Sequence, residues 1–263
     1  MKFALVNGER LEAQPNLSGK CPACDQTMNA KCGPVKIWHW AHKGRHTCDP
    51  WCENETEWHR TWKGHFPKHW QEIVHRADNG EKHIADVKTD QGWVIEFQNS
   101  PIKSEERQSR DAFYDKLVWV VNGERLQRDP RQFFAAVYRA KSIVPNLQIW
   151  RTFSDECAIL REWAGDHGPV FLDFKGEREL WWIRTGLTKG SAYIARFSRS
   201  EFIERHRDGA TQSARDFDEL LNVYNKLVQE YESYLKTTSE RQIDPLALIG
   251  FPRNQMRRRS RRL

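Results

Sequence analysis

The sequence predicts an α/β protein. A mixed sheet flanked by helices follows an N-terminal zinc-binding module and precedes an α+β C-terminal region. Three observations carry this. Five of the six Cys fall within residues 19–53, a stretch with His nearby and little helical periodicity. Residues 82–98 alternate like a β-hairpin around the turn 89–92. A polar stretch with helical spacing (102–116) and a buried-type strand (117–121) come next, as in a central sheet covered by helices.

The remaining elements follow in order. Residues 1–18 read as a short strand pair. A helix is expected over 55–64 and a weakly marked strand over 71–76. Past the stop at Asn122 and Gly123, short helices are expected at 131–138 and 155–163. Strands follow at 170–174, 179–184 and 191–197, then a helix at 199–206. A long helix over 211–236 has Phe217, Leu220, Leu221, Tyr224 and Leu227 at helical spacing, a stripe that suits packing on its own domain. The expected divisions are 1–53, 54–123, 124–252 and a tail, 253–263.

Net charge is +6, and the last eleven residues hold six Arg and no acid. The body is therefore close to neutral, and the basicity sits in a tail that includes Arg257, Arg258 and Arg259. Such a tail suits phosphate binding without sequence preference, or equally a disordered solubilising end. No apolar run is long enough to span a bilayer, so no membrane partner is expected and the cytoplasm is the expected compartment. A reducing compartment points the Cys toward metal rather than disulfides.

Cys21 and Cys24 form a CxxC, and His39 and His42 follow at metal-ligand spacing. Two thiolates and two imidazoles make a closed tetrahedral Zn²⁺ site, structural rather than catalytic. Cys48 and Cys52 are four apart, and either can replace a His ligand.

The hairpin sets Asp86 opposite Glu96, with Gln98 on the Glu96 face. Two adjacent carboxylates call for a cation, and a hard divalent ion, Mg²⁺ or Mn²⁺, suits them. Glu55 and Glu57, on the preceding helix, are candidates for a third acid.

CPAC, HWAH, ETEWHRTWK at 55–63, ADV at 85–87 and IEFQNSPI at 95–102, with Arg110 and Tyr114 downstream, resemble the competence-protein CoiA-like family of the PD-(D/E)XK nuclease superfamily. The resemblance covers about residues 19–122. It implies a restriction-endonuclease-like core and a Mg²⁺-dependent deoxyribonuclease acting in competence, recombination or phage defence. Asp86 and Glu96 would then be metal-binding acids, and Glu55 or Glu57 the helix acid. Gln98 would stand where the superfamily's more usual Lys stands, able to orient water but without charge. Arg110 and Tyr114 would lie near the site, and DNA would be the partner. Two alternatives stand beside this: a non-catalytic nucleic-acid-binding protein, and a subunit of a larger assembly or homo-oligomer.

Overall fold

The computed structural model describes residues 1–44, 48–49, 51, 55–77, 80–163, 165, 168–186, 188–207 and 217–241. The Arg tail, Cys52 and residues 211–216 of the expected long helix lie outside the described residues. No helix among the described residues is long and apolar enough to cross a membrane.

Two sheets organise the molecule. The first holds β1 (Phe3–Val6), β2 (Glu9–Glu12), β3 (Ser18–Lys20), β4 (Thr27–Lys31) and β5 (His39–His42), in the order β2-β1-β3-β4-β5. The last three were not expected. Their strands are three to five residues long and too polar to show an apolar alternation.

The second sheet has nine strands. Helix α1 (Glu57–Gly64) leads to β6 (Gln71–Arg76), β7 (Lys82–Lys88) and β8 (Val94–Gln98). Helix α2 (Ser104–Phe113) and β9 (Leu117–Asn122) follow. The chain continues through α3 (Asp129–Arg139), β10 (Lys141–Val144), β11 (Ile149–Phe153) and α4 (Ala158–Trp163). It ends with β12 (Val170–Asp173), β13 (Glu179–Thr185), β14 (Ser191–Ser198), α5 (Arg199–Arg207) and α6 (Phe217–Arg241). The order across the sheet is β10-β11-β14-β13-β12-β9-β8-β7-β6, with β8-β9 and β9-β12 parallel and the other pairs antiparallel.

This continuity departs from the expected boundary at 123/124. Parallel pairing of Val170 with Trp119 through Asp173 with Asn122 joins the two regions into one sheet. Central strands β8, β9 and β12 are buried on both faces because helices cover both. On one face, Trp62 of α1, Phe202 of α5 and Phe217, Tyr224 and Val228 of α6 meet Val87, Ile95, Phe97, Val118 and Phe171. On the other, Phe133, Leu160 and Trp163 of α3 and α4 meet Trp119, Val121 and Leu172. The long helix thus packs on its own sheet.

Helix α1 starts at Thr56, whose side chain accepts from the His59 N–H in a capping box. It is clamped at Asp173, which accepts from Trp58 Nε1 and Trp62 Nε1, each at 2.8 Å, and pairs with Arg199. Removing this carboxylate strands two indole donors and a guanidinium. Asp173→Ala is therefore expected to cost about 3–5 kcal/mol. A lowered urea midpoint at unchanged slope is the readout, and a midpoint equal to wild type would refute the clamp.

Candidate metal centre and acid cavity

The CxxC lies in the turn between β3 and β4, where Cys21 N–H donates to Gln26 O and Asp25 N–H to Cys21 O. Ligand atoms of Cys21, Cys24, His42 and Cys48 all lie within 4.8 Å of one another. The Cys21 and Cys48 sulfurs are 3.6 Å apart, and Cys24 Sγ is 3.3 Å from His42 Nε2. A tetrahedral zinc with Zn–S near 2.3 Å and Zn–N near 2.05 Å gives edges of about 3.8 and 3.5 Å. The donor set and spacing therefore fit a zinc ion held by three sulfurs and one nitrogen. Burial raises the Cys21 thiol pKa, and burial followed by the neighbouring Cys21 raises that of Cys48.

His39 is outside this group. Its Nδ1 lies 2.8 Å from Ile37 O. The reason is local: both His sit in strand β5, where residues three apart point to opposite faces, so they cannot chelate one ion. Cys48 completes the set.

The acids meet elsewhere. Strands β7 and β8 pair at Lys88–Val94 and Val87–Ile95, in the register expected. The ladder then stops, and the Asp86 carboxylate accepts the Phe97 N–H at 3.0 Å. Across this gap, Glu55, Glu72, Asp86 and Glu96 line a cavity of about 60 Å³, together with Trp51, Lys63 and Arg110. Glu57 is exposed on α1, away from it. Gln98 is buried with its amide donating to Ser100 O, and it does not line the cavity. Tyr114 is buried behind it, its ring against Trp51 and Phe113.

Two residues that the sequence reading passed over as site groups dominate the cavity. Lys63 Nζ lies 2.6 Å from Glu55, 3.0 Å from Glu72 and 3.7 Å from Asp86. Burial opposes its charge, but Glu72, Asp86 and Glu55 outweigh that, and its pKa is raised. Glu72, the second residue of β6, has a φ of 50°, the left-handed region. Its carboxylate accepts from the Lys2 and Phe3 N–H groups at 2.7 and 3.0 Å, tying β1 to the acid cluster. Burial works against its charge, yet Lys63, the N-terminal ammonium and the Lys2 N–H hold its pKa at about 2. Lys63 was legible as sharing a helix face with Glu55. Glu72 had only its place in a weak strand beside Asp86.

Glu96 is the reverse case. Burial, then Asp86, push its pKa up to about 8, although Arg110 Nη1 donates to Glu96 Oε2 at 3.1 Å. Its other oxygen, Oε1, has no hydrogen-bond partner among the described residues. A buried carboxylate oxygen without a partner, near a second acid, suits a cation.

The molecule is thus a mixed α/β protein whose N-terminal sheet carries a cluster fit for zinc. Residues 10–50, which hold all four members of that cluster, match the family model described as competence protein CoiA, N-terminal domain. No curated protein and no solved structure matches the chain.

Proposed function

We propose that the protein is a metal-dependent deoxyribonuclease of the PD-(D/E)XK type, acting in DNA processing during competence or recombination, or in phage defence. The observation that carries this is the convergence of Asp86 and Glu96 on one cavity where the hairpin ladder opens. The order helix, strand, hairpin, helix, strand from α1 to β9 also supports it, since it is the order of the superfamily's core. So does the similarity of residues 10–50 to a competence-protein domain.

Asp86 and Glu96 would hold the ion. When bound, it polarises a phosphodiester and lowers the pKa of its water. Lys63 supplies the positive charge that Gln98 lacks and that Gln98's orientation toward Ser100 would not deliver. Arg110 holds the Glu96 carboxylate in place through one oxygen and leaves the other free.

A second reading rests on the same residues. Lys63 and Arg110 already neutralise much of the acid charge, as they would in a protein that binds DNA without cutting it. Incubation of purified protein with linear and circular DNA separates the two. Cleavage with Mg²⁺ or Mn²⁺ that stops when the metal is withheld supports the nuclease. DNA retention with no cleavage under any metal favours the binder.

The Glu96 pKa gives a pH expectation. Below about 8 its ionised fraction rises tenfold per pH unit, and ion binding needs the ionised form. Mn²⁺ affinity by calorimetry should therefore climb between pH 6 and 8 and flatten above. An affinity that is flat across this range would remove Glu96 from the ion site.

A further inference from the structure

We propose that Trp38 is a base-stacking residue that selects an unpaired stretch of DNA at the mouth of the acid cavity; this rests on the nuclease reading above. The turn between β4 and β5 is unusual in what it exposes. Val35 is 92% exposed and Trp38 46% exposed, although both are large and apolar. The stretch of residues 31–44 carries three Lys and no acid, in a chain whose body is otherwise near neutral. All three lysines, Lys31, Lys36 and Lys43, are exposed. A turn that exposes an apolar ring within a stretch carrying three lysines and no acid is complementary to a polyanion with flat apolar faces. That is the chemistry of a nucleic-acid strand with its bases accessible.

The turn is also fixed in place. Trp38 immediately precedes β5, which carries His42 of the zinc cluster. Its carbonyl accepts from Arg60 Nη2 at 2.8 Å, and the same nitrogen donates to Glu55 Oε2 at 2.6 Å. Glu55 lines the acid cavity and pairs with Lys63. The Trp38 backbone is therefore joined through the Arg60 side chain to a residue that lines the cavity. In duplex DNA the base faces are stacked on each other, so a ring presented this way gains contact only where bases are unpaired.

Base stacking on an aromatic ring contributes about 1–3 kcal/mol per base, which corresponds to about 5- to 150-fold in affinity. The test uses the full chain carrying Glu96→Gln, so that binding is read without cleavage. Fluorescence polarisation is measured with a labelled oligothymidine and with a blunt duplex hairpin. Adding Trp38→Ala should weaken oligothymidine binding at least fivefold and leave duplex binding within twofold. Trp38→Phe should restore most of the loss. Zinc content and melting temperature should match the parent, since the ring is exposed.

Three outcomes would overturn the proposal: no binding of oligothymidine by the parent, no loss on Trp38→Ala, or equal losses on both DNAs. Cleavage by the unsubstituted chain is scored separately. Its absence beside strand-selective binding would sink the nuclease reading and keep the stacking role. Cleavage without strand selectivity would do the opposite.

Discussion

Glu96→Gln should abolish the proposed metal-dependent cleavage without destabilising the protein above neutral pH. The two halves of this result have one cause. Glu96 is buried, sits beside Asp86, and has its pKa pushed up to about 8. A carboxyl whose folded pKa exceeds its unfolded value, here 4.5, loses stability as pH rises between the two. Gln keeps the shape and can still accept from Arg110, but it never ionises. The metal-free variant should therefore melt at or above the wild-type temperature at pH 8–9, while at pH 5 the two should converge.

Catalysis goes the other way. A neutral amide is a poor ligand for a hard cation, and losing a carboxylate from such a site removes several kcal/mol of transition-state stabilisation. At 1.36 kcal/mol per tenfold, the rate should fall at least ~1000-fold. Rates on DNA with Mg²⁺ and melting curves across pH, from the same preparations, read both. Retained cleavage would point to another site or to a contaminant, and a large loss of melting temperature at pH 8 would mean that Glu96 serves the fold.

How much of this was readable beforehand divides along physical lines. The hairpin register was legible because a short turn fixes it, and β7 and β8 pair as numbered. The splay beyond Val87 was not, because it depends on the Asp86 side chain taking a backbone donor. Among the central elements, periodicity sufficed for α1, α2, β9 and the stripe of α6. It failed for β10 and β11, four and five residues long around a residue with positive φ, Gln148. The one-sheet architecture was invisible for a different reason. The parallel pairing of β9 with β12 joins segments about fifty residues apart, and nothing local encodes it.

In the acid cavity, Asp86 and Glu96 share a face by strand alternation, a local rule, whereas Glu55 precedes the Thr56 cap and lies outside the helix on which it was expected. Glu72 was missed because its role comes from accepting two amides of another sheet. The His39 assignment failed on the same alternation rule that succeeded for the hairpin. The rule was not applied there because β5 was not recognised as a strand.

Loss of the zinc cluster should damage the acid cavity as well as the N-terminal sheet. Cys48, a member of the cluster, is followed by Asp49, which is buried and accepts from Ile84 N–H at 2.8 Å and Trp51 N–H at 3.0 Å. Trp51 stacks on His83 with ring centroids 3.2 Å apart, and its carbonyl accepts from Arg110 Nη2 at 2.7 Å. Arg110 in turn holds Glu96. Three residues of chain therefore link a metal ligand to a wall of the cavity.

The purified protein should contain one equivalent of zinc, and Cys48→Ala should lose it. Ligation by a structural zinc contributes folding free energy directly. If only a few kcal/mol of that survives in this larger fold, the melting temperature should fall by about 10 °C, at 2–4 °C per kcal/mol. Cys157→Ala is the control, since that buried thiol lies in the core under α3 and α4 and should leave zinc content unchanged. The decisive comparison is made at a temperature where the Cys48 variant is still folded. Cleavage reduced there by more than the unfolded fraction accounts for would place the metal in control of the Trp51–Arg110–Glu96 chain. Cleavage in proportion to folded protein would confine the zinc to holding the N-terminal sheet together.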